Sequence, residues 1–168
     1  MSEQLLPGYN IRAGSGLDRA LLVKFMQRTY QERFPEQDFS HLARTVEQYF
    51  SKETPLWWVE FLHPSPLTPH SSPPIVACLW VGNAVDQVNG DRHAHIFLFY
   101  LVPEHRRRGI GTALMRYVED WARTRGDRQI GLQVFQSNQP ALNLYNQLGY
   151  QTQSLWMVKF LHPKTVVD

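Results

Sequence analysis

An apolar run from Ile96 to Val102 leads into Arg106-Arg107-Arg108-Gly109-Ile110-Gly111, and an amphipathic pattern then continues to Trp121. Strand, glycine-bearing turn and helix in that order constrain the fold more than any other stretch of the chain, and the order also builds an anion site. The first amides of a helix have no intrahelical acceptor and point outward, toward phosphate oxygens where these are present. Gly109 and Gly111 let a ligand approach the backbone with no Cβ in the way. Two nucleotide motifs are excluded here. Gly111 is followed by Thr112-Ala113, without the lysine of a P-loop. Leu114 stands where a dinucleotide fingerprint needs its third glycine.

A length of 168 residues favours one domain, 1–168, with a proper core. Hydrophobic residues make up 43% and charged residues 19%, a globular balance. The net charge of +2 implies no general nucleic-acid surface, and the arginine run lacks the basic face and stacking aromatics of a nucleic-acid binder. The single cysteine, Cys78, lies in the apolar run Val76 to Val81, reads as a small core residue and excludes an internal disulfide. Met1 to Asn10 is too polar for a secretory signal, and the longest apolar run is far short of a membrane span. A cytoplasmic chain without a membrane partner, monomeric or homodimeric, is the expectation.

Helical spacing predicts helices over Leu17 to Phe34, stopped by Pro35, and over Ser40 to Phe50. Aromatic and β-branched residues predict a strand over Trp57 to Leu62, on which Trp57 and Trp58 face opposite sides. His63 to Pro74, rich in proline and serine, reads as an exposed excursion to the next strand, Ile75 to Val85. Asn89-Gly90-Asp91 reads as a turn, and His93 to Val102 as a strand closed by Pro103. A helix over Gly109 to Arg125 with Gly126 as its cap, a strand over Ile130 to Phe135, and a helix opened by Pro140 and ended by Gly149 follow. Tyr150 to Leu161 reads as a final strand. Helices interleaved with strands indicate an α/β or α+β sheet with helices on its faces.

Two separated segments of the C-terminal half resemble the GCN5-related N-acetyltransferase (GNAT) superfamily. Leu101-Val102-Pro103-Glu104-His105-Arg106-Arg107-Arg108-Gly109-Ile110-Gly111-Thr112-Ala113-Leu114 is similar to the family's acetyl-CoA turn, Gln/Arg-x-x-Gly-x-Gly/Ala. Asn138-Gln139-Pro140-Ala141-Leu142-Asn143-Leu144-Tyr145-Asn146-Gln147-Leu148-Gly149-Tyr150 is similar to its Asn-x-x-Ala-x-x-Leu-Tyr-x-x-x-Gly-Phe/Tyr segment. The resemblance runs over Trp57 to Leu161. It implies a mixed, mostly antiparallel sheet that splays open between the family's fourth and fifth strands, here His93 to Val102 and Ile130 to Phe135, with helices on both faces. Acetyl-CoA would lie in that cleft with its pyrophosphate on the amides of Arg106, Arg107, Arg108, Gly109, Ile110, Gly111 and Thr112. No metal is implied.

Acetyl transfer from a thioester to an amine needs a neutral amine, donors for the developing oxyanion and a proton for the leaving thiolate. By the resemblance, main chain at a bulge in the fourth strand serves pantetheine and oxyanion, which points to Leu101 and Val102 beside Tyr100. Tyr145 is the candidate general acid. Asn138 bonds the pantetheine arm or caps its helix. His95, eleven residues before Arg106, is the candidate base, with Glu104 and Glu60 behind it; the alternative is a solvated strand-end residue like His93. The acidic loop residues Glu32, Glu36 and Asp38 can attract a cationic amine or simply face water. The resulting expectation is direct transfer from acetyl-CoA to an amine in a ternary complex. The competing reading is a non-catalytic acetyl-CoA-binding module.

Overall fold

Pro7-Gly8 reverses the chain near its start. Gly8 takes the left-handed conformation, φ +86°, that a tight turn demands and a side chain resists. The turn joins β1 (Ser2–Leu6) to β2 (Tyr9–Ala13), a hairpin absent from the sequence expectations. The strands β3 (Leu56–Phe61), β4 (Ile75–Val85), β5 (Arg92–Leu101) and β6 (Ile130–Leu132) complete one sheet in the order β1-β2-β3-β4-β5-β6. Neighbours are antiparallel except β5 and β6, which are parallel, so the sheet is mixed as expected. The computed structural model describes residues 1–63 and 72–162, so most of the proline-rich excursion, 64–71, lies outside the described residues. The chain divides into two compact units, Met1–Gln133 and Val134–Asp168.

In the first unit, α1 (Arg19–Gln31) and α2 (Leu42–Tyr49) cover one face of the sheet. Leu22, Phe25, Met26, Leu42 and Val46 pack there with Trp58, Cys78, Trp80, Leu98 and Tyr100. The other face takes α3 (Ile110–Arg125), which buries Ile110, Leu114, Met115, Val118 and Ala122. The adjacent tryptophans divide between the layers as the strand period requires. Trp58 meets Phe25 of α1 at 5.3 Å, and Trp57 meets Trp121 of α3 at 5.2 Å. Each aromatic side chain buried this way stabilises the fold by about 1.5–3 kcal/mol. Gly126, at φ +93°, ends α3 as the spacing predicts.

The second unit contains α4 (Gln139–Gln147), with Asn138 accepting from the Ala141 amide at its start, Pro140 in its first turn and Gly149 at φ +90° after its end. Two sequence expectations fail. The strand over Ile130 to Phe135 stops at Leu132, and no strand forms over Tyr150 to Leu161, where Leu155, Trp156, Met157 and Phe160 are exposed. Apolar, β-branched sequence favours a strand only where a neighbouring backbone completes the ladder, and the sheet of the described residues ends with β6 at Leu132.

One carboxylate ties the end of α3 to the start of β5. Asp127, its side chain 1% exposed, accepts from the Ala94 amide at 2.8 Å and pairs with Arg125 and Arg92. Burial pushes its carboxyl up, but the hydrogen bonds from Arg125 and Ala94 and the charges of Arg125 and Arg92 outweigh this and hold it below the ordinary carboxylate range. Asp127→Ala leaves the Ala94 amide without its acceptor and is expected to lose about 2–3 kcal/mol in urea unfolding at pH 7. Because the native value is depressed, this stability is full above the unfolded carboxyl pKa of ~3.9. It fades as pH falls through the native value, so the gap between wild type and variant should close in acid.

Candidate active site

Strand β5 carries the site. It pairs with β4 from Arg92 to Leu101, but with β6 only at Ala94↔Ile130, His95↔Gly131 and Ile96↔Leu132. The β4 register steps from Val81↔Ile96 to Trp80↔Leu98, leaving Phe97 as the extra residue of a β-bulge where β5 continues beyond its last pair with β6. The sheet therefore opens between these strands, as the resemblance implies. The irregularity is at Phe97, however, and not at Leu101 or Val102. Leu101 is in regular register with Ala77, and the Val102 amide donates to Val76 O at 2.8 Å, so that amide already has a partner.

Beyond β5, a turn of 3-10 helix over Pro103–His105 leads to Arg107, at φ +63°, and Gly109, at φ +84°. Gly109 is the N-cap of α3, and a Cβ built on it would meet nothing within 4 Å, so the approach to the backbone is open. The amides of Ile110, Gly111 and Thr112 are the first of the helix and lack intrahelical acceptors. They are what a phosphate would use.

The arginines before them are differently employed. Arg106 donates through Nε to Leu101 O at 2.8 Å and through Nη2 to both carboxylate oxygens of Glu32, at 2.9 and 3.0 Å. The Tyr100 hydroxyl donates to Glu32 at 2.5 Å. Burial first, and the bond to Glu32 second, push that phenol up to about 12. Glu32 is thus engaged by two partners rather than presented to a cationic acceptor. Arg108 donates to the Tyr9 hydroxyl, which is also hydrogen-bonded to His105 Nδ1, so β2 pins the turn. Glu32, Tyr100, Val102, Pro103, Glu104, Arg28 and Gln31 line a cleft of about 570 Å³ beside it.

At the other end of β5, His93 is buried and its Nδ1 is hydrogen-bonded to Ala94 O at 2.9 Å, while His95 is half-buried. Burial first, and then the charge of His93, lower the His95 pKa. It is therefore a neutral imidazole at pH 7, the form a base needs. Of the lesser base candidates, Glu60 is bonded to Arg12 at 2.6 Å and Glu104 is exposed. In the second unit Tyr145 is buried, with its ring 5.7 Å from that of Tyr150, and burial pushes its phenol up to about 12. Asn138 caps α4, the second of its two expected roles.

The profile of the acetyltransferase (GNAT) family matches residues 23–150. The chain belongs to that family. Among GNAT relatives, streptothricin acetyltransferase of Streptomyces lavendulae is 42% identical over 50 residues, 30% of this chain and 26% of that protein. An uncharacterized N-acetyltransferase of Bacillus subtilis is 32% identical over 87 residues, 52% of this chain and 54% of its own length. The match thus spans about half or less of each of these two curated relatives. The structure of a predicted acetyltransferase from Clostridium acetobutylicum with acetyl-CoA superposes with TM-score 0.70 at 20% identity, covering 91% of this chain and 96% of that one, a likeness of fold.

Sequence reasoning missed Tyr9, the Glu32–Arg106 pair and Phe97. A mid-strand glycine was the available signal for the last. A Cβ on Gly82 would lie 2.0 Å from Phe97 Cζ, so the tip of the ring fills the place a side chain would take on β4. For the Glu32 network, Glu32→Ala is expected to cost about 1.5–3 kcal/mol in urea unfolding, since the buried Tyr100 hydroxyl loses a charged acceptor. Tyr100→Phe, which removes the donor as well, should cost less.

Proposed function

We propose that this GNAT chain is a single-domain N-acetyltransferase that moves an acetyl group from acetyl-CoA to a primary amine within a ternary complex. The observation that carries the reading is β5, which parts from β6 after three residue pairs and then runs into the open, amide-bearing start of α3. That pairing of a slot with an anion-binding turn suits an elongated thioester with a pyrophosphate at one end. The amides of Ile110, Gly111 and Thr112 take the pyrophosphate, and Gly109 gives it room. Arg107 and Arg108 add positive charge at the turn, whereas the charge of Arg106 is largely offset by Glu32.

The chemistry divides among few groups. His95 takes a proton from the amine, directly or through water. The freed lone pair attacks the thioester carbonyl, a C–N bond forms, and collapse of the tetrahedral oxyanion breaks the C–S bond as the second proton of the nitrogen passes to the departing thiolate. Main-chain amides near the Phe97 bulge serve the oxyanion. Tyr145 is protonated throughout the neutral range. A phenol at about 12 is a reluctant acid toward a thiolate whose conjugate acid lies near ~8.5, so Tyr145 acts first as hydrogen-bond donor to the departing sulfur. Cys78 takes no part as a relay, because it is fully buried and burial pushes its thiol well above the ordinary range.

Acetyl-CoA at a hundred times its dissociation constant should stabilise the fold by about 2.7 kcal/mol. For a chain of this size that is a rise in melting temperature of roughly 5–10 °C. No rise would overturn both the enzyme reading and the binding-module reading. Tyr145→Phe should lower kcat about tenfold or more at nearly unchanged KM for the amine, and full activity under chemistry-limited conditions would remove it from the mechanism. The acidic limb of kcat/KM should fall below the ordinary histidine value of ~6.5, as burial and His93 require, and disappear in His95→Ala. A limb that survives in His95→Ala would assign the base elsewhere.

A further inference from the structure

On the α1/α2 face of the sheet, beside His95, two aromatic rings remain open to solvent. Phe97 is 36% exposed and Tyr49, the last residue of α2, is 51% exposed. Their centroids are 6.4 Å apart, and Phe97 is 6.0 Å from the His95 ring and 5.2 Å from the buried Trp80. The rings form a ledge, with the imidazole at its inner end.

Two glycines within strands shape this ledge. A Cβ on Gly82 would sit 2.0 Å from Phe97, and a Cβ on Gly131 would sit 3.2 Å from His95 Nδ1 and 3.3 Å from His93 Cε1. A glycine inside a strand is destabilising by about 0.5–1 kcal/mol relative to alanine, and it marks a place where another group approaches the backbone closely. Here one glycine seats the ring of the ledge and the other seats the imidazoles.

Two of the carboxylates around this end of β5 are matched by arginines. Asp127 is paired with Arg125 and Arg92, and Asp91 with Arg128. Asp86 accepts from the amides of Val88 and Asn89 in its own loop. At the far end of β5, Glu32 is engaged by Arg106 and Tyr100. A polycationic acceptor needs several carboxylates that are not already matched, whereas a monoamine with an apolar body needs the ledge.

We propose that Phe97 and Tyr49 form the acceptor subsite, and that it takes a primary amine joined through one or two carbons to an apolar or aromatic body. The short linker follows from the 6.0 Å between the Phe97 and His95 rings, which leaves room for the amino group at the imidazole while the body rests on the ledge. The inference rests on the acetyl-transfer reading above, with His95 as base.

The test measures CoA release at saturating acetyl-CoA with 2-phenylethylamine, ethylamine and spermidine. 2-Phenylethylamine should exceed spermidine in kcat/KM by about tenfold or more. Tyr49→Ala, at the exposed end of its helix, should raise KM for 2-phenylethylamine about three- to tenfold, with kcat within about twofold and KM for ethylamine unchanged, and Phe97→Ala should raise the 2-phenylethylamine KM at least as much. Preference for spermidine, or a 2-phenylethylamine KM indifferent to both substitutions, overturns the subsite. If no amine is turned over, titration of 2-phenylethylamine into the acetyl-CoA-saturated protein, read by calorimetry, separates the two ideas. Saturable binding that Tyr49→Ala weakens sustains the subsite while the catalytic reading falls, and absence of binding overturns the subsite.

Discussion

Strand β5 satisfies its backbone hydrogen bonds unevenly, along its whole length toward β4 and over three residue pairs toward β6. Every other part of the site follows from that asymmetry. The first pairs, fixed by the Asp127 carboxylate on the Ala94 amide, hold His93 and His95 against Gly131. The bulge at Phe97 then turns the strand, as bulges do by adding twist, and the second half of the strand has room for a ligand where β6 would have been. A fully paired strand would be more stable and would have no slot.

In the turn that follows, adjacent charges take different partners. Three arginines in a row read as one anion-binding feature, yet their environments differ. Arg106 is spanned between Leu101 O and Glu32, and Arg108 reaches Tyr9. The pair of Arg106 with Glu32 is partly exposed, and such pairs contribute about 0.2–1 kcal/mol by charge alone. Its larger effect is geometric, because it links the end of α1 to the segment that places the first amides of α3.

The glycine turn before α3, and α4 itself, were legible in the sequence because their instructions are local. Gly109, Gly126 and Gly149 take left-handed conformations, Pro140 suits a first helical turn, and Asn138 caps. The division of Trp57 and Trp58 between two layers followed from the strand period alone. What escaped depends on partners. The first hairpin begins with the polar Ser2-Glu3-Gln4, whose only signal was Pro7-Gly8. The expected strand from Tyr150 had strand-like residues, but a strand also depends on a neighbouring backbone that its own sequence does not name. Phe97 resembles any other apolar residue of β5 until the step in register with β4 is known, and the seat of His95 is set by a glycine thirty-six residues further along the chain. Glu32 read either as a lure for cations or as a solvated loop residue because its partner, Arg106, is seventy-four residues away.

Cys78 has a practical consequence of its own. It sits at the centre of β4, with no exposed surface, under α1 and opposite Tyr100. Its thiol is held protonated, and thiols react with alkylating reagents as thiolates. The single cysteine is therefore a silent reporter, modified only when the layer of α1 and α2 lifts from the sheet. The rate of its labelling in native buffer is a clock for that opening, and the same clock, run with acetyl-CoA added, records whether that compound holds those helices down.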